Sequence, residues 1–156
     1  MIDHVSIAVR DLGAMGRFYQ VVLGTLGYAK LRAQASTLGF GKRYPEFWLN
    51  HRPGMAPNPA DSGHHVCLRA PDAKAIEAFH RAALRAGGSC DGAPGWRPEY
   101  SSSYYACFVR DPEGNRIEAA TFIEDPKSPG GPRLTTDRRR RPSIPCPAPT
   151  AFAWPR

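Results

Sequence analysis

From the fourth position the chain alternates between apolar and polar residues. Val5, Ile7 and Val9 share one side of a two-residue period and His4, Ser6 and Ala8 the other, the pattern of a strand with one buried face. Asp11 follows as a helix N-cap, because its carboxylate can accept from the free N–H groups of a first turn. Leu12, Met15, Phe18, Tyr19, Val22 and Leu23 then recur at helical spacing. The same order returns 61 residues later without a gap: His65-Val66-Cys67-Leu68 falls on His4-Val5-Ser6-Ile7. Asp72 then falls on Asp11, Ile76 on Met15, Phe79 on Phe18, Leu84 on Leu23 and Gly88 on Gly27. Such self-similarity is the mark of an internal duplication. In the second copy Asp72 caps after Pro71, Ile76, Phe79, Ala83 and Leu84 carry the apolar stripe, and Gly87-Gly88 ends the helix.

After each helix the pattern shortens to three strands. They are predicted near Tyr28–Ala33, Ser36–Gly41 and Glu46–Asn50 in the first copy. In the second they fall near Gly88–Asp91, Tyr104–Arg110 and Asn115–Ile123. Asp111-Pro112-Glu113-Gly114 joins the last two as a tight turn, since Pro presets φ at its second position and Gly suits the fourth. The expected fold class is α+β: two βαβββ modules forming a cupped mixed sheet. Module one spans 1–50, a Pro/Gly/Asn-rich linker 51–62 and module two 63–123, together one domain over 1–123. Residues 124–156 hold half of the prolines and no periodic apolar segment, so they read as a flexible extension.

Composition changes this picture in three places. The net charge of +7 would suggest nucleic acid, but residues 124–156 carry seven Lys or Arg against three Asp or Glu. The body is therefore only mildly basic, and without an aromatic stacking platform the Arg138–Arg141 run reads as a solvated tail. No apolar run approaches the roughly 20 residues needed to cross a bilayer, and the opening Ile2-Asp3-His4-Val5 has no secretory pattern. Cys67, Cys90, Cys107 and Cys146 show no CxxC pairing. They are expected to be reduced thiols in a cytoplasmic protein.

Candidate chemistry lies on the polar side of the duplicated strands. His4 and Ser6 share one face, and His65, Cys67 and Arg69 share the equivalent face of the second copy. If the modules meet about a pseudo-twofold axis, these faces line one cavity. Glu118, between Ile117 and Ala119 on the last strand, needs a partner there because an unpaired buried carboxylate is costly. Each residue alone has an ordinary alternative: a histidine hydrogen-bonded in the core, or a carboxylate paired with arginine. Duplicated histidines with a strand carboxylate instead favour a facial triad, His4, His65 and Glu118, for a divalent metal with open positions. His64 falls on the core side or at the strand start, while His51 in the linker and His80 on the helix read as surface histidines.

The residues His4 to Leu12, His65 to Asp72 and Tyr104 to Glu118, above all the closing Asp111-Pro112-Glu113-Gly114-Asn115-Arg116-Ile117-Glu118, resemble the glyoxalase / bleomycin-resistance / extradiol-dioxygenase superfamily, the vicinal oxygen chelate proteins. The resemblance covers about 1–123. It implies paired βαβββ modules, a cupped sheet around one divalent ion (Zn, Ni, Mn or Fe), a small substrate chelated through adjacent oxygens, and a homodimer. It points to a glyoxalase-like lyase or isomerase, or a thiol transferase. The alternatives are an extradiol-type dioxygenase and a metal-free drug- or metabolite-binding member. Relatives like glyoxalase I carry a fourth ligand on the last strand of module one, where Trp48 stands here. Glu46, two residues earlier on the same face, is the candidate catalytic base. Ser6, Trp48, Cys67, Arg97, Tyr100, Tyr104 and Tyr105 are the candidate substrate contacts. Membrane and nucleic-acid partners are not expected.

Overall fold

The structure, a computed structural model, describes residues 2–124. Cys146, the arginine run and most of the expected extension lie outside the described residues. The elements follow the order β1 (Val5–Val9), α1 (Leu12–Gly24), β2 (Ala29–Ala33), β3 (Thr37–Gly41) and β4 (Phe47–His51). They continue as β5 (Val66–Arg69), α2 (Ala73–Arg85), β6 (Ser89–Trp96), β7 (Tyr104–Arg110) and β8 (Arg116–Phe122). Two four-stranded sheets result, ordered β1-β4-β3-β2 and β5-β8-β7-β6. In each, the first strand runs parallel to the last and the remaining neighbours are antiparallel. The α+β duplication expected from the alternation is therefore the observed architecture.

Both helices begin as the sequence predicts. Asp11 accepts from the Ala14 N–H at 2.8 Å and Asp72 from the Ala75 N–H at 2.8 Å, each satisfying an otherwise orphaned donor. The helices pack on one another and on their own sheets. As a result the helix-side faces of both sheets enter one core, with Val9, Tyr19, Phe47, Phe79 and Ile117 among its buried members.

The 111–115 turn ties the two modules together. The buried Asp111 carboxylate accepts from the Glu113 and Asn115 N–H groups, from the Asn115 amide and, at 2.7 Å, from the Tyr19 hydroxyl of α1. Glu113 accepts the Arg10 and Asp11 N–H groups at 2.7 and 2.8 Å, fastening the exit of β1. Gly114 closes the turn at φ 89°, a conformation strained for residues with a Cβ.

Several expectations are corrected. β6 does not stop at Asp91 but runs to Trp96, because as an edge strand it absorbs Gly92, Pro94 and Gly95 as register shifts rather than breaking at them. β4 starts at Phe47, leaving Glu46 in the preceding turn, and it ends at His51, which is therefore a strand residue. His51 Nε2 lies 3.1 Å from the Arg10 carbonyl. His64 is exposed and precedes β5. His80 is buried at 7% exposure, with Nε2 3.1 Å from Cys90 Sγ, because its helical position turns it toward β6. Cys67 and Cys107 are free, whereas Cys90 is disulfide-bonded, so not every cysteine is a reduced thiol. No helix among the described residues is long and apolar enough to cross a membrane.

Candidate functional site

Strand parity places the candidate chemistry on the side of the second sheet away from the helices. In β8, Ile117 and Ala119 enter the core, so Glu118 between them faces outward. Its cross-strand neighbours are Cys67 on β5 and Phe108 on β7. Glu118 is nonetheless only 3% exposed, because the surrounding side chains close over it. Both carboxylate oxygens are engaged. The Tyr104 hydroxyl donates to Oε1 at 2.7 Å, and His65 Nε2 lies 2.9 Å from Oε2. Such charge-assisted contacts are what make a buried carboxylate tolerable.

These groups sit at the floor of a cleft of ≈ 480 Å³ whose wall is Tyr100, Tyr104 and Phe108, with Glu99 and Arg116 at its edge. Tyr100 and Tyr104 meet edge to face at 5.5 Å, as do Tyr104 and Phe122 at 5.1 Å, which holds the Tyr104 ring in place. The electrostatics keep the hydroxyl and thiol protonated. Burial, then the hydrogen bond to Glu118, pushes the Tyr104 phenol well above its ordinary range. Cys67 reaches solvent, yet desolvation in the cleft and the Glu118 charge push its thiol up to about 12. It is not an activated nucleophile. Arg116 donates to Asp91 at 2.7 Å, and Asp91 also accepts from Arg110 at 3.2 Å.

A divalent ion would set a spacing for the donor atoms of this site. Two ligand atoms about 2.1 Å from a common ion and at right angles lie roughly 3 Å apart. The 2.9 Å between His65 Nε2 and Glu118 Oε2 matches that span. The same 2.9 Å is an ordinary hydrogen-bond length, so the pair by itself makes no metal site. The third expected ligand is not with them. His4 precedes β1 on the other sheet, is half exposed, and has Nδ1 2.8 Å from the Asp3 carboxylate. Among the described residues no group of three His, Cys, Asp or Glu side chains could hold a metal. The faces that bear His4 and His65 are not brought together within the chain. The two sheets share their helix-side faces in the core, so their outer faces do not close on each other.

The other predicted residues are placed as follows. The register Ser6↔Trp48 repeats Cys67↔Glu118, so Trp48 is the first-sheet counterpart of Glu118, the position at which the resemblance expects a fourth ligand. Its indole lies over Gly39, where an added Cβ would come within 2.9 Å of the ring. Glu46 accepts the Lys42 N–H at 3.1 Å within the β3–β4 turn. Arg97 donates to the Ala93 and Trp96 carbonyls and lies 5.6 Å over the Phe108 ring, bracing β6 from behind the wall. Tyr105 packs on the core side against Trp96. Glu99, Phe108 and Arg116 were missed. For Phe108 and Arg116 a signal existed, since they share the parity of Tyr104 and Glu118 on their strands. Glu99 sits in a loop, where no period applies.

Comparison with known proteins bears on the fold and the family. No curated protein sequence matches the chain. Among solved structures, a glyoxalase/bleomycin resistance protein from Albidiferax ferrireducens T118 is 30% identical with a TM-score of 0.67, the match covering 76% of this chain and 96% of that one. A glyoxalase/bleomycin resistance protein/dioxygenase family enzyme from Burkholderia phytofirmans PsJN is 18% identical with a TM-score of 0.62, covering 78% of this chain and 98% of its own. The fosfomycin resistance protein FosX from Mesorhizobium loti shares the fold at 17% identity and a TM-score of 0.58, covering 79% of this chain and 92% of that one. The profile of one family matches residues 1–119. The chain belongs to the Glyoxalase/Bleomycin resistance protein/Dioxygenase superfamily.

Proposed function

We propose that the protein is a metal-dependent enzyme acting on a small substrate that presents adjacent oxygens. In this reading His65 and Glu118 of one chain and His4 of a second copy hold one divalent ion. The observation that carries it is the buried Glu118 carboxylate at the floor of the cleft, with His65 Nε2 2.9 Å from its Oε2. When bound, the ion supplies Lewis acidity toward a carbonyl, hydroxyl or phosphonate oxygen. The chain's own residues do the rest: Tyr100 and Phe108 wall the cleft against water and position the substrate beside Glu118. Glu46 is committed to the Lys42 N–H and is given no step. Reactions of lyase, isomerase or thiol-transfer type fit this arrangement; dependence on oxygen would instead mark a dioxygenase.

A second copy is invoked because each chain carries one histidine-bearing outer face and one face with both other ligands. A twofold pair of such chains satisfies both sites at once. The test is complementation. His4→Ala and Glu118→Ala proteins, each alone, are expected to lose divalent metal measured on the purified protein. Unfolded together and refolded, they are expected to regain about one ion per mixed dimer. Wild-type protein that takes up none of Zn²⁺, Ni²⁺, Mn²⁺ or Fe²⁺ would sink the reading.

One observation favours a second reading, a metal-free ligand-binding module: both Glu118 oxygens have partners within the chain. It predicts ligand binding that survives Glu118→Gln.

A further inference from the structure

The side chains bounding the second-sheet cleft offer negative charge and aromatic rings to whatever enters it. Glu118 keeps its carboxylate at the floor with a phenol and an imidazole as partners. Among the described residues no lysine or arginine comes within ion-pair distance of it. Glu99 adds a second carboxylate at the rim. Both charges act on the same space: burial, then Glu118 and Glu99, raises the Tyr100 phenol above its ordinary range, while Arg97 and Arg116 each pull it down by less. Arg116, the arginine of the lining, is engaged by Asp91 at 2.7 Å and lies 3.8 Å from Asp61.

The rings complement a positive group. Tyr100 and Tyr104 stand at 90° with centroids 5.5 Å apart, so their planes form a corner rather than a stack. Phe108 lines the same cleft, whose ≈ 480 Å³ is the size of a small-molecule site. Aromatic faces carry partial negative charge and attract cations within about 6 Å of the ring centroid. We propose that the cleft takes a small organic cation, with an ammonium group against Tyr100, Tyr104 and Phe108 and its charge balanced by Glu118 and Glu99. An anion would meet two carboxylates there, and a neutral molecule of the same shape would gain only its burial. The inference rests on the reading that this cleft holds the small-molecule ligand, and it needs no metal ion.

The test is an NMR titration of the full-length, metal-free protein with three probes of similar shape. They are choline, its isostere with a quaternary carbon in place of the nitrogen, and the anion pivalate. Choline is expected to bind about 3- to 30-fold more tightly than the carbon isostere, and pivalate not at all. Tyr100→Leu removes the ring at a 40% exposed position. It is expected to weaken choline about 3- to 30-fold and to leave the far-ultraviolet circular dichroism unchanged. Tyr44→Leu, at a tyrosine 50% exposed in the β3–β4 turn, is expected to bind choline like wild type. An isostere or pivalate that binds as tightly as choline, and loses affinity in Tyr100→Leu, would overturn the cation class while leaving the cleft a ligand site. Choline binding indifferent to Tyr100→Leu would overturn the placement against the rings. Binding of none of the three probes would overturn the cation class and count against the cleft as a ligand site as well.

Discussion

Cys67 shows how a residue's chemistry depends on what surrounds it. On sequence grounds it is a thiol beside a histidine at a candidate site, a setting that can lower a thiol pKa. In the structure, desolvation and the Glu118 carboxylate instead push it up to about 12. The sign follows: a raised thiol pKa keeps the thiol protonated until the pH rises toward that value. The metal-free protein should therefore alkylate slowly at Cys67 at pH 8, with the rate still climbing above pH 10. Glu118→Gln removes the second cause and should speed the reaction at pH 8, as followed by peptide mass spectrometry. His80 is the parallel case among bases. Burial, then the charge of Arg81, lowers its pKa below 6.5. The unfolded chain therefore binds the proton more readily, and stability should fall as pH drops through about 6.5. His80→Gln should flatten that part of the urea-midpoint profile, and an unchanged slope would refute the assignment.

Among the elements, the 111–114 turn does more than reverse the chain. Asp-Pro-Glu-Gly predicts a tight turn from local chemistry alone. What local chemistry does not reveal is that the Glu113 side chain, 8% exposed, reaches back to the exit of β1 in the other module. Glu113→Ala would leave two backbone N–H groups without their acceptor. The expected loss is about 2–4 kcal/mol, read from denaturant midpoints at constant m-value. An effect under about 0.5 kcal/mol would place the turn among ordinary surface substitutions. β6 shows the converse failure. Gly92, Pro94 and Gly95 look like strand breakers, yet an edge strand needs ladder bonds on one side only and can bulge around them.

The whole molecule turns on how the two modules meet. Val5, Ile7 and Val9 against His4, Ser6 and Ala8 fixed which face of β1 is buried, and Val66 and Leu68 against Cys67 did so for β5. The 61-residue repeat carried that assignment to both helix caps. All of this follows from periods of two and of about 3.6, which act over a few residues and are legible in order alone. The direction in which each sheet looks relative to the other is not such a property. It is decided by α1 packing on α2 and by contacts spanning about a hundred residues, Tyr19 to Asp111 and Glu113 to Arg10. That packing brings His65, Tyr104 and Glu118 to one cleft and leaves His4 on another face. The residue types of a metal site and the strand faces that bear them were thus written in the chain. Which of them share a site was decided by the burial of two helices between two sheets, because apolar area removed from water is indifferent to where a distant histidine ends up.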